Sequence, residues 1–436
     1  MKNINKKILF ASLVGTSFEF YEFVVYGFLA PIVSPLFFPS NEPAISLISG
    51  LGVFALGFLA RPIGGLVFGY IGDHYGRKKA LSLSIILMSI PTCLIGLLPT
   101  YASIGWLAPL FLMVCRLLQG ICTGGEYNGA GIFLVEHTKE GKKGLASGIL
   151  VAGCVTGMFL GSSVSFFMHF FDFSWRVPFL LGIIPGVIGY YIRRSIEESP
   201  IFEIAKKKKK MEREPILRLI KKEELINMFR AAGIASFAAS LFYFLYIFCN
   251  SFIPEISKVS QEDLVGILTG AAVMYMVFLL ILGWISDYIG HASLMKFAAV
   301  TTAIFLYPAF SYLVVDGSVL DSVLFLLLFS FLLAAYVAPS HTVMVSLFPV
   351  KGRYRLISLS YSLGLSILGG TAPMFSMILF REIGTPSSPT FFVIFCALLG
   401  LGAVYSLPHE QSLFNIRAVL RRFQRNQTNA FSSIEL

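Results

Sequence analysis

Charge is scarce in this chain. Asp, Glu, Lys and Arg make up 13% of its 436 residues, against about 25% in an ordinary soluble domain, too little to clothe a globule in water. Cysteine is sparse as well. The six, Cys93, Cys115, Cys122, Cys154, Cys249 and Cys396, fall in apolar stretches without CxxC spacing. That pattern argues against a disulfide framework or a zinc site and makes them small core or lipid-facing hydrophobes. No HExxH, GxSxG or Walker loop occurs, and no His/Cys cluster sits on a polar segment, so neither enzyme chemistry nor a metal or cofactor is expected. The stretch after Lys6 and Lys7 meets Glu19 and Glu22 and continues without a small-residue cleavage site. It is expected to remain as a first helix rather than to be removed as a signal peptide.

What is abundant is apolar. Hydrophobic residues account for 56% of the chain, with a mean hydropathy of +0.78. Runs of roughly 20 such residues, each able to cross about 30 Å of hydrocarbon as a helix, recur from end to end. Twelve are predicted: Ile8–Phe38, Ala44–Ile71, Ala80–Leu98, Gly105–Val135, Lys143–Phe170 and Val177–Tyr191, then Ala231–Ile253, Asp263–Ile285, Ala292–Val314, Val319–Leu347, Leu356–Phe380 and Thr390–Leu407. The expected architecture is an all-α membrane protein with twelve transmembrane helices in two six-helix bundles, 1–192 and 231–407, joined by a polar linker, 193–230, and followed by a tail, 408–436.

A formal charge of +10 raises nucleic acid as a partner, but that requires a basic face on a soluble fold. The charge map excludes it. With the amino terminus inside, all but five of the 34 Lys and Arg fall in cytoplasmic segments; Arg61 and Arg116 lie within helices, and Arg176, Lys258 and Arg381 lie outside. This asymmetry is the positive-inside rule, so both termini are expected in the cytoplasm. The accompanying expectation is a monomer in a bacterial inner membrane, with lipid, a small solute and protons as partners. The lysines at 206–210 read as a solvated loop that enforces this topology, with anionic lipid contact as the alternative. Phe414–Arg425 reads as a short basic amphipathic helix on the membrane.

The chain repeats itself. GYIGDHYGRKKA at Gly69–Ala80 is echoed by GWISDYIGHASL at Gly283–Leu294, with Gly69, Asp73, Gly76 and Arg77 matched 214 residues later by Gly283, Asp287, Gly290 and His291. At nearly the same offset the basic turn Lys139–Lys143 mirrors Lys351–Arg355. Two matches at one offset point to duplication, with the linker between the copies.

Within the apolar runs, an ionised side chain costs at least about 2.5 kcal/mol at the bilayer centre, so each one demands a partner or a watery cavity. Glu19 and Glu22 are three apart, on one face of the first helix, with Tyr26 a further turn along. Two carboxylates facing one cavity repel, and a proton on one relieves the repulsion. They are candidate proton-coupling residues, with a structural carboxylate–arginine network as the alternative. Arg61 precedes Pro62, and Arg116 shares its helix with Glu126. Arginine offers a planar fork suited to a substrate carboxylate or, equally, to an internal ion pair. Glu126, Tyr127 and Asn128 follow Gly124 and Gly125, where small residues allow close approach. His341 follows Pro339 and Ser340, combining a helix break with a titratable group. Tyr26, Arg61, Arg116, Glu126, Tyr127, Asn128 and His341 are therefore the candidate substrate contacts.

The loop form G-x-x-x-D-x-x-G-R-K at Gly69–Lys78 and R-x-x-Q-G at Arg116–Gly120 resemble the major facilitator superfamily. More narrowly, Gly15–Pro31, Phe58–Ala80, Cys115–His137, SWRVPF at Ser174–Phe179, ESPIF at Glu198–Phe202 and Ser346–Pro373 resemble its metabolite:proton symporters, among them proline/betaine, citrate and 2-oxoglutarate permeases. Glu22 stands where that family usually has Asp, and the long carboxy-terminal coiled coil of its osmosensing members is not seen. The resemblance implies proton-coupled uptake of a small carboxylate-bearing or zwitterionic metabolite by alternating access. An uncoupled facilitator, an antiporter of organic acids and a transporter-derived sensor remain as alternatives. It also implies a cytoplasmic latch. Asp73 would sit against a neighbouring helix amino terminus, Arg77 would reach Glu136, and Asp287, beside His291 instead of arginine, would form a weaker second side.

Overall fold

The computed structural model describes residues 6–41, 43–170, 174–194, 196–207, 220–256 and 259–407. The expected helix at Phe414–Arg425 and the lysines at 208–210 lie outside these residues. Everything regular among the described residues is helical, as hydrocarbon demands of a chain that must satisfy its own backbone hydrogen bonds.

The first six helices are α1 (Lys6–Phe37), α2 (Pro43–His74), α3 (Arg77–Leu97), α4 (Leu107–His137), α5 (Lys143–Phe170) and α6, in two pieces, Arg176–Leu181 and Ile183–Arg194. A linker helix, Pro200–Lys207, follows. The second six are α7 (Lys222–Ile256), α8 (Gln261–Ile289), α9 (His291–Asp316), α10 (Val319–Leu347), α11 (Arg353–Ile383) and α12 (Thr390–Tyr405). Nine of these helices have described stretches long and apolar enough to cross a membrane.

Helix α7 starts nine residues before the predicted Ala231. Its first nine residues include Lys222, Glu223, Glu224 and Arg230, so hydropathy ends the span where the helix merely leaves the hydrocarbon. Among the described residues, three of the longer helices are also interrupted near mid-span. Helix α7 has a π turn at Phe244–Phe248 and α11 one at Leu365–Gly369, while α10 breaks between Val337 and Ser340 at Pro339, which has no N–H to donate.

The repeated loops have a backbone reason. Gly76 and Gly290 both have positive φ, +113° and +96°, at the tight α2–α3 and α8–α9 turns, a conformation costly for any residue with a Cβ. Small residues also set the packing. Gly153, Gly157 and Gly161 press α5 against Leu13, Ser17 and Val24 of α1, and the Ser17 hydroxyl donates to the Gly153 carbonyl at 3.0 Å. Between the halves, Gly65, Gly69 and Gly72 of α2 abut Ser358, Arg355 and Tyr354 of α11, while Gly144 and Gly148 of α5 abut Gly283 and Leu279 of α8. These seams lie toward the end of the bundle that carries the basic loops, called the basic end below.

Candidate functional site

Between the halves lies a cavity with about 80 Å³ of water-accessible volume, several times what a single water needs. One side is built by Arg61 of α2, Phe20 of α1, Tyr127 of α4 and Cys154 of α5; the other by Phe242 and Tyr243 of α7, Tyr275 of α8 and Tyr361 of α11. Arg61 is the one charged residue in the lining among the described residues. Its guanidinium lies 4.5 Å from the Phe23 ring centroid and 4.6 Å from that of Phe58, its Nε is buried without a partner, and no hydrogen bond or ion pair to it is present among the described residues. Rings hold the cation in place without using up its donors.

Arg116 has the opposite fate. It is fully buried, with Nη1 donating to Gln119 Oε1 at 2.7 Å and to the Phe23 carbonyl at 3.3 Å, and the rings of Phe23, Tyr26 and Phe54 lie within 5.0 Å of it. Tyr26 donates to the Gly50 carbonyl at 3.1 Å. From Arg116 a chain of side chains leads to α1: Gln119 Nε2 donates to Thr92 Oγ1 at 2.7 Å, and Thr92 Oγ1 donates to Glu22 Oε2 at 3.1 Å. Two neutral groups therefore separate the cation from the carboxylate.

Glu22 is buried to 1% exposure, as are Glu19 and Glu126. All three lie within electrostatic reach of the Cys122 thiol, and Glu19 together with Arg61 lies within reach of Cys154 on the cavity wall. Glu126 turns toward α3, where it accepts from Ser84. Of the sequence candidates for substrate contact, only Arg61 and Tyr127 line the cavity. His341 packs behind it, edge-on to Tyr127 at 4.7 Å, with both ring nitrogens buried and without a hydrogen-bond partner among the described residues. Tyr26, Arg116, Glu126 and Asn128 lie outside the lining. Tyr243, Tyr275 and Tyr361 were not singled out by sequence, since tyrosine in an apolar run is unremarkable until the opposite half shows which face it turns inward.

At the basic end the halves are clasped by a buried charge cluster. Asp73 accepts from Arg77 Nη1 and Arg355 Nε, both at 3.1 Å, and from the backbone N–H groups of Tyr354 at 3.2 Å and Arg355 at 3.3 Å. A carboxylate on the first turn of α11 is favoured by the helix dipole as well as by the hydrogen bonds. Arg77 lies 3.6 Å from Glu136, which also accepts from Arg353 Nη1 at 2.9 Å. Asp287 plays the matching part at the other seam: it accepts from the N–H groups of Gly144 at 2.9 Å and Leu145 at 3.1 Å, at the start of α5.

The ESPIF segment belongs to this cluster. Glu198 Oε1 accepts from the N–H groups of Arg77 and Lys78 at 3.0 and 3.2 Å, capping α3. A Cβ on Gly76 would collide with that carboxylate. Ser199 donates to Glu136, and the Phe202 ring lies 5.1 Å from the Arg77 guanidinium. Arg353, Arg355, Glu198 and Ser199 stood inside quoted motifs, but nothing local marked them as partners of Asp73, Arg77 and Glu136.

A profile of the Major Facilitator Superfamily matches residues 13–261. Among curated relatives, the inner membrane metabolite transport protein YhjE of Escherichia coli K12 is 34% identical over 85% of this chain and 86% of its own length. The proline/betaine transporter of the same organism is 29% identical over 91% of this chain and 82% of its own. In fold, the chain superposes on the proton:xylose symporter XylE bound to 6-bromo-6-deoxy-D-glucose with a TM-score of 0.75, at 14% identity and with 92% and 94% of the two chains covered. The chain belongs to the Major Facilitator Superfamily and is a membrane transporter, not an enzyme.

Proposed function

We propose that this transporter takes up a small solute bearing one carboxylate, most simply a zwitterion of the amino-acid or betaine type, together with protons. The observation that carries the reading is Arg61, the single charge on the cavity wall among the described residues, its donors unspent and ringed by aromatics. A monocarboxylate satisfies one guanidinium fork, while the faces of Tyr127, Tyr243, Tyr275 and Tyr361 suit the cationic end of a zwitterion. A dianion would call for a second cation, and Arg116 is committed to Gln119 and backbone carbonyls. The naming of relatives as proline/betaine transporters agrees with this substrate class.

Glu22 and Glu19 are the proposed proton carriers. Buried charge without a counterion is costly, so with Thr92 and Gln119 interposed before Arg116, Glu22 holds its proton while the basic end is closed. Loss of the proton creates an anion that draws Arg116 from Gln119, linking proton release to a change in α1, α3 and α4. Positive-inside asymmetry makes the basic end cytoplasmic in a bacterial inner membrane, with both termini there. The clasp of Asp73, Arg77, Glu136, Arg353, Arg355 and Asp287 then serves as the cytoplasmic gate, and the halves 1–192 and 231–407 rock about the cavity.

The test is uptake into proteoliposomes of radiolabelled proline, glycine betaine, a monocarboxylate and a dicarboxylate, with and without an inward proton gradient. Gradient-dependent accumulation of a zwitterion or monocarboxylate, lost in Arg61→Gln, is expected. Transport of the dicarboxylate alone, or transport indifferent to Arg61→Gln, would overturn the substrate assignment.

A further inference from the structure

Toward the basic end the central cavity is closed by three rings that meet across the halves. Between ring centroids, Tyr127 of α4 lies 5.3 Å from Tyr361 of α11 and 4.7 Å from His341 of α10, and His341 lies 5.9 Å from Tyr361. Both tyrosines line the cavity, and His341 lies beyond them. Along α10, Val337 lines the cavity, whereas Thr342 and Val343 line a second pocket, of about 380 Å³, at the basic end. Along α4, Tyr127 lines the first space and Val135 and Glu136 the second. The His341 ring rests on Gly131 of α4, where a Cβ would collide with it. Histidine and glycine together thus form the partition between the two spaces.

The partition is polar where close packing alone would favour an apolar side chain. Both His341 nitrogens are buried without a hydrogen-bond partner among the described residues. So are Thr342 Oγ1 and, one turn from Gly131 on the same face of α4, Asn128 Oδ1. Buried donors and acceptors left unpaired are costly, and an apolar residue of similar shape would close the seam without that cost. The cost is recovered when α4 and α10 part and these groups meet a polar partner. A neutral imidazole then offers one N–H donor, and Thr342 adds a hydroxyl.

We propose that His341 is a second contact for the transported solute, receiving its carboxylate from Arg61 as the basic end opens. This rests on the reading of Arg61 as the carboxylate anchor and of the basic end as the exit. A carboxylate leaving the guanidinium without a partner would cross the partition bare. The His341 N–H, helped by the Thr342 hydroxyl, gives it a hydrogen bond at that point and lowers the barrier to exit. One neutral donor holds a carboxylate less firmly than a charged two-pronged fork, so the hand-over favours release into the basic-end pocket.

Equilibrium binding to the purified protein and counterflow exchange in proteoliposomes, with radiolabelled proline and glycine betaine as probes, test the assignment. His341→Phe and His341→Leu keep apolar bulk and lose the nitrogens. In both, binding should stay within about twofold of wild type while exchange falls about tenfold, as expected for one lost hydrogen bond to a charged group. His341→Gln restores a side-chain N–H and should recover exchange to within about threefold of wild type. Wild-type exchange in the nitrogen-free variants, or an equal loss in His341→Gln, overturns the second contact and leaves His341 as packing. Binding lost along with exchange in variants that remain monodisperse would place His341 at the first site and overturn the hand-over as well. Arg61→Gln separates the two failures. If neither probe binds the wild type, or binding is indifferent to Arg61→Gln, the Arg61 reading falls and the hand-over with it. Binding that depends on Arg61, with undiminished exchange in His341→Phe, removes His341 alone.

Discussion

Replacing Asp73 by Asn should open the proposed cytoplasmic gate. The carboxylate is 2% exposed and takes four donors, of which Arg77 belongs to the same half and survives opening. The contacts made only when the halves meet are Arg355 Nε at 3.1 Å and the N–H groups of Tyr354 and Arg355 at 3.2 and 3.3 Å. Asparagine keeps one acceptor oxygen but turns its NH₂ toward a cation. Removing one partner of a buried pair costs about 3–5 kcal/mol in total, and a hydrogen bond to a charged group about 1.5–3 kcal/mol, so the share felt only by the closed state is about 2–3 kcal/mol. At 1.4 kcal/mol per tenfold, that shifts the closed-to-open ratio by roughly 30- to 100-fold. Double electron–electron resonance distances between spin labels at Lys79→Cys on α3 and Phe229→Cys on α7, in a background with the native cysteines replaced, should report the basic ends moving apart. Asp287→Asn gives up one of two backbone hydrogen bonds and weakens a 3.9 Å histidine contact, and its shift should be about tenfold. A folded Asp73→Asn protein whose distances move no more than those of Asp287→Asn would refute the reasoning.

Three further outcomes follow from the same geometry. Arg61→Lys keeps the charge but loses the fork and the ring stacking, so zwitterion affinity measured by equilibrium binding should fall at least about tenfold; wild-type affinity would remove Arg61 from the site. Glu22→Gln should abolish gradient-driven accumulation while sparing counterflow exchange, and accumulation at the wild-type level would sink the coupling assignment. Gly72→Ala places a Cβ in the Tyr354 ring, and overpacking of this kind costs about 1–3 kcal/mol. It should therefore open the basic end without touching a charge, and an unchanged spin-label distance would show that the seam yields elsewhere.

Much of this protein is written locally. A run of apolar residues must be helical in hydrocarbon wherever it lies, and a lysine or arginine biases its own loop inward, so the twelve spans and the expected orientation needed no knowledge of contacts. Duplication was visible in the same way, because Gly76 and Gly290 answer to the backbone conformation of their own turns. What the sequence could not give was the pairing of the two repeats. The Asp73 and Asp287 loops matched each other, and the turns before α5 and α11 matched each other, but only the fold shows that they meet crosswise, Asp73 on α11 and Asp287 on α5.

The two intramembrane arginines make the same point. Both stood on apolar helices with the same chemistry, and either suited a substrate. Their difference lies in what faces them: Phe23, Tyr26, Phe54 and Gln119 close around Arg116, whereas Arg61 shares Phe23 but opens toward three tyrosines from helices that begin more than 150 residues further on. Sequence determined which residues must find a partner or a cavity in the membrane. Only the packing of one half against the other decided which of them received a partner and which was left facing the cavity.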